Sequence, residues 1–62
     1  DQAIRLDPNL AVAYYNRGDA RRSLGDKQRA LADYQKAAEL SQQQENRELY
    51  QLLLEKIREL QQ

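Results

Sequence analysis

The sequence has no cysteine, histidine, methionine, tryptophan, phenylalanine or threonine, and holds one proline and two glycines in 62 residues. Without cysteine there is no disulfide, and without cysteine or histidine there is no ordinary zinc site. Without histidine, neither Ser23 nor Ser41 has a ready base to make it a nucleophile. Gly18 and Gly25 stand alone, seven residues apart, which excludes a glycine-rich phosphate loop. An excess of one charge is also missing. Ten basic residues face ten acidic ones, so no electrostatic footprint for nucleic acid or membrane follows. No run approaches the roughly 20 apolar residues of a membrane span, and no signal peptide is visible. No cofactor is implied.

The charged residues that are present read as solvated helix faces and not as an active site. Asp19 with Arg22, and Glu55 with Arg58, fall at helix spacing. Arg17, Arg21, Arg22, Lys27 and Arg29 form a local basic cluster, but Asp19, Asp26 and Asp33 are interleaved with it. No enzyme and no nucleic-acid binder is expected from this pattern.

The apolar content is thin: 13 Leu, Ile and Val, helped by eight alanines and four tyrosines. A chain this short buries only about 60% of its unfolded surface. Ala3, Ile4 and Leu6 read as the last turn of a helix, so the chain is expected to be a piece of a longer protein. Asp7-Pro8-Asn9 is turn chemistry before a helix. From Leu10 to Leu24 small or apolar residues recur at helical spacing: Leu10, Ala13, Tyr14, Gly18 and Leu24, with Ala20 beside them. Gly25 stops this helix in the left-handed conformation and Asp26 caps the next. The second helix buries Ala30, Tyr34, Ala37 and Ala38, flanked by Leu31 and Leu40. Ser41 to Glu48 are all polar. Tyr50, Leu53, Ile57 and Leu60 then form a heptad seam. Extended backwards, the seam lands on Gln43, Glu39 and Lys36. A turn near Ser41–Glu45 is therefore favoured over one helix from Lys27 to Gln62. The continuous helix is not forbidden by any residue, and it would let two chains exchange C-terminal helices.

Tyr14, Gly18 four residues on, Ala30 twelve later, Tyr34 four on and Ala37 three on resemble the tetratricopeptide repeat. That family pairs two antiparallel helices in a 34-residue unit. With the same shift, Ala3 falls on Ala37 and Leu6 on Leu40. The resemblance implies an all-α fold, an antiparallel hairpin with a third, capping helix. Residues 1–9 would close a preceding repeat, 10–44 form one repeat (helices about 10–24 and 27–40), and 45–62 the cap. Tyr14, Gly18, Gly25, Ala30, Tyr34 and Ala37 are the structural signature. Helices cross closely at Gly18 and Ala30, Tyr34 fills the space beside them, and Ala13, Ala20 and Ala37 admit the neighbouring helix. Departures exist. Arg17 stands where the family prefers leucine, Arg21 where it prefers an aromatic, and Gln42 replaces a closing proline. The two arginines either cover the core with their stems while their heads reach water or a carboxylate such as Asp33 or Glu39, or they contact a neighbouring repeat or another chain.

The resemblance further implies a non-catalytic scaffold that binds a peptide segment or partner protein on the inner face of the first helix. Here that face carries Val12, Tyr15, Asn16, Asp19, Arg22 and Ser23; otherwise it is merely solvated. Asn16 matches an asparagine of members that clamp chaperone-tail carboxylates. The clamp's lysine is replaced by Tyr15, and Asp19 would repel a carboxylate, so that ligand is disfavoured. Neighbouring repeats of the parent chain are a second class of partner. The C-terminal helix is either an intramolecular cover over Tyr34 or a homodimer element through Tyr50, Leu53, Ile57 and Leu60. The alternative function is therefore a structural end-cap that stabilises or oligomerises its parent.

Overall fold

The computed structural model describes residues 8–61. The expectation for residues 1–7, the end of a preceding repeat, lies outside them, as does Gln62. Three helices follow one another: α1 Pro8–Ser23, α2 Lys27–Gln43 and α3 Arg47–Gln61. Among the described residues there is no strand, and the all-α expectation holds. Pro8 opens α1, where a missing N–H costs nothing and a fixed φ suits the first helical turn.

Two turns of one design separate the helices. At the first, Asp26 N donates to Arg21 O (2.9 Å) and Gly25 N to Arg22 O (3.0 Å), with Gly25 at φ 87°. At the second, Asn46 N donates to Ser41 O (2.8 Å) and Glu45 N to Gln42 O (3.1 Å), with Glu45 at φ 58°. Both are Schellman endings, in which one left-handed residue turns the chain and recovers two orphan carbonyls. Each is followed by a side-chain cap. Asp26 Oδ1 accepts from Arg29 N (3.2 Å) and Asn46 Oδ1 from Leu49 N (3.3 Å). The second turn, expected near Ser41–Glu45, falls at 44–46, at the end of that span, because α2 runs three residues beyond Leu40. Ser41 is buried in that added turn, its hydroxyl donating to Ala37 O at 2.8 Å.

Only Leu24, Gly25 and Asp26 separate α1 from α2, so α2 returns alongside α1 as an antiparallel hairpin. At the crossing Arg21 and Arg17 meet Asp33, Asp19 meets Tyr34, and Gly18 lies against Ala30 and Tyr34. The second turn reverses the chain again, so α3 returns along α2 in the direction of α1. The core lies on α2: Ala30, Tyr34, Ala37 and Ala38 are buried with Leu53 of α3. Tyr14, Tyr15, Leu49, Tyr50, Ile57 and Leu60 pack around it. At roughly 25 cal/mol per Å² of apolar area, such a core supports only a marginally stable fold, so the polar ties between helices matter.

Some alanines behave differently from expectation. Ala37 is buried, but Ala13 and Ala20 are exposed, while Ala11, one turn before Tyr14 and Tyr15, is fully buried. The stripe that meets α2 runs through Ala11, Gly18 and the half-buried Arg21 and Arg22, rotated round the helix from the stripe read through Leu10 and Ala13.

Candidate interaction face on the first helix

Arg17 and Arg21 converge on one carboxylate. Arg17 Nε and one terminal nitrogen donate to the two Asp33 oxygens, each at 3.0 Å, and Arg21 donates to Asp33 Oδ2 at 3.0 Å. Arg17's guanidinium also lies 5.3 Å from the Tyr14 ring centroid. Asp33 is almost fully buried. The Arg17 hydrogen bonds outweigh that burial and hold its carboxyl below the usual range, with Arg21 adding to the effect. Arg17 in turn is held more firmly charged by Asp33. The two arginines thus supply the α1–α2 contact that leucine and an aromatic would have made. Glu39, the other carboxylate considered, stands 3.7 Å from Lys36 instead.

On the other flank of α1 a second polar group ties all three helices. The buried Tyr34 hydroxyl of α2 donates to Asp19 Oδ1 of α1. Arg22 stands beside the same hydroxyl and pairs with Glu59 of α3 at 3.1 Å. Tyr34 first, then Glu59, holds the Arg22 guanidinium more firmly charged. Burial, and then the neighbouring Asp19, pushes the Tyr34 hydroxyl up to about 12.

These contacts sort the six residues of the candidate partner face. Val12, Asn16 and Ser23 are exposed. Tyr15 is half-buried, its ring tilted 45° against Tyr34 with centroids 6.0 Å apart. Asp19 and Arg22 are half-buried and already engaged with Tyr34 and Glu59. The outer stripe Val12, Asn16, Asp19, Ser23 is spaced four, three and four, so these side chains share one face. The structure gives the self-association seam a different employment. Leu53 is fully buried, and the half-buried Tyr50, Ile57 and Leu60 pack on the α2 core. The second turn folds α3 back onto α2 and brings this seam to it. A cleft of about 240 Å³ opens on the opposite flank of α1, between Leu10, Ala13, Tyr14 and Arg17. A larger one, about 470 Å³, lies at the second turn, lined among others by Ser41, Glu45 and Tyr50.

Sequence reasoning missed the Tyr34–Asp19 bond. Fifteen residues separate the pair, and only the crossing geometry brings them together. Among the described residues no group of acidic, histidine or cysteine side chains could hold a metal ion, and no helix is long and apolar enough to cross a membrane.

A close helical hairpin with a third helix packed on it, small residues at the crossing and one open helix face define a helical-repeat unit of α-solenoid type. Comparison with known families gives its kind: the tetratricopeptide repeat matches residues 11–44. The chain belongs to that family, whose repeats are non-catalytic modules of protein–protein interaction. Searches of curated proteins and of solved structures each gave no match.

Proposed function

We propose that the α1 face bearing Val12, Tyr15, Asn16, Asp19, Arg22 and Ser23 binds a peptide segment or a partner protein. One observation carries this reading: the half-buried Tyr15 packs against the Tyr34 ring while its neighbours Val12 and Asn16 are exposed. A packed aromatic edged by accessible apolar and amide groups loses little side-chain entropy on binding, which favours contact. Residues 10–44 act as the repeat and 45–62 as its cover. A neighbouring repeat would dock on the Leu10, Ala13, Tyr14 and Arg17 flank.

The test is a peptide-display selection on the chain, with the selected peptides re-measured on a Val12→Glu, Asn16→Arg variant. Both positions are exposed, so the variant should keep its helices. Loss of binding is expected; undiminished binding would remove this face from consideration.

A second reading, a structural end-cap, is supported by α3. Its apolar seam packs on α2, and its far side carries the exposed Gln51 and Arg58. Deletion of α3 would then unfold the hairpin while leaving its peptide contacts chemically intact. Both roles can coexist in one chain.

A further inference from the structure

The reading of the α1 face as a ligand surface leaves open what chemistry that ligand has, and α3 supplies the answer. The α1 stripe Val12, Asn16, Asp19, Ser23 has a counterpart on α3 with the same spacing: Glu48, Leu52, Glu55, Glu59. The 3.1 Å pair between Arg22 and Glu59 shows that the Glu59 side of α3 turns toward α1. Spacings of four, three and four put the other three residues on that same side. The two stripes therefore flank one shared surface.

Its apolar content is exposed: Val12 is 41% and Leu52 39% accessible, with the half-buried Tyr15 beside them. Its charge is one-sided, although the whole chain is neutral. Four carboxylates, Asp19, Glu48, Glu55 and Glu59, stand on or beside it against two cations, Arg22 and Lys56. Arg22 is moreover already paired with Glu59. Glu48 and Glu55 are exposed, and among the described residues neither has an ion pair within 4.0 Å.

We infer that the surface between α1 and α3 takes a basic peptide with an apolar anchor. The anchor would rest on Val12, Tyr15 and Leu52, and lysine or arginine side chains on either side of it would meet Glu48 and Glu55. Acidic segments, including terminal carboxylates, are turned away because the only cation at the centre is committed to Glu59. This rests on the proposal that the α1 face binds a ligand.

The experiment is a titration of the 62-residue chain, followed by amide chemical shifts, with two probe peptides. Both are acetylated and amidated, with two central leucines; one has lysines on either side and the other glutamates. The lysine peptide should move amides within 12–23 and 48–59 and bind about fivefold or more tightly than its partner at low salt. Its advantage should fade as salt is raised. Reversing two exposed charges, Glu48→Lys with Glu55→Lys, should invert the preference. Helix content is checked by circular dichroism, and if that variant unfolds, the salt dependence of the native chain decides. Equal or better binding of the glutamate peptide at the same amides overturns the ligand class but leaves the binding face standing. If neither peptide moves those amides, both proposals fall.

Discussion

Gly18 and Tyr34 approach so closely that a β-carbon does not fit between them. A methyl built on Gly18 would lie 2.8 Å from Tyr34 Cε1, 2.9 Å from Cδ1 and 3.3 Å from the Ala30 carbonyl. The ring is fully buried and its hydroxyl is tied to Asp19, so it has little room to withdraw. Glycine inside a helix costs about 1 kcal/mol, and here that cost secures the crossing.

The first prediction follows from this contact. Gly18→Leu should destabilise the chain by about 1–3 kcal/mol through overpacking. Gly18→Ala should lose less, because alanine recovers about 1 kcal/mol of helix propensity. Urea denaturation followed by circular dichroism measures both. Equal stability of all three proteins would show that the crossing is not tight.

Glu45 gives the opposite expectation. It occupies a left-handed φ of 58° that costs a side-chain-bearing residue about 1–2 kcal/mol. Glu45→Gly should stabilise the chain by about 0.5–1 kcal/mol, the gain being trimmed by the added freedom of the unfolded chain. At the sister turn, Gly25→Ala should destabilise by about 1 kcal/mol, although nothing lies within 4 Å of the added methyl. The loss there is one of backbone conformation alone. Thermal melts of the two variants should move in opposite directions.

Asp33 makes stability depend on acid. Its folded pKa lies below the ordinary 3.8, so its contribution is whole above that value and is lost as pH falls through the lower folded one. Asp33→Asn should cost on the order of 1–2 kcal/mol at neutral pH, a modest sum because both arginine heads can turn to water. Urea midpoints from pH 7 to pH 2 should converge for the two proteins at the acid end. A constant gap would mean that Asp33 acts through shape and not through charge.

Tyr34 sets the alkaline limit. With its hydroxyl pushed up to about 12, its contribution is complete below the ordinary 10.0 and disappears as pH rises through 12. Ionisation would place an anion in the core beside Asp19. Ultraviolet titration of phenolate should show one late step, absent in Tyr34→Phe, accompanied by loss of helix signal.

Much of the hairpin could be read from residue order, and the reasons are local. Gly25 and Asp26 announce their turn because left-handed backbone and amide capping each select few residue types. Arg17 and Arg21 were readable as inward cations whose heads reach water or a carboxylate, but the choice of Asp33 over Glu39 depends on the helix crossing. The second turn was harder to place. Glutamate does the work of glycine there, so no residue type marks it, and the polar run from Ser41 to Glu48 hides a buried serine. The interaction face was readable only as an outline. Helical spacing groups Val12, Asn16, Asp19 and Ser23, but the engagement of Asp19 and Arg22 depends on where α2 and α3 come to lie.

The ties between helices are unevenly distributed, and this has a mechanical consequence. α1 and α2 share the Asp33 clamp, the Tyr34–Asp19 bond and the Gly18 crossing, whereas α3 meets α1 through the Arg22–Glu59 pair and otherwise rests on an apolar seam. Tension applied beyond Gln61 would load that seam one turn at a time, from Leu60 to Ile57 to Leu53, like tape lifted from its end. α3 would yield at low force and the hairpin later. The unit would behave as a two-stage spring whose first stage is its cover.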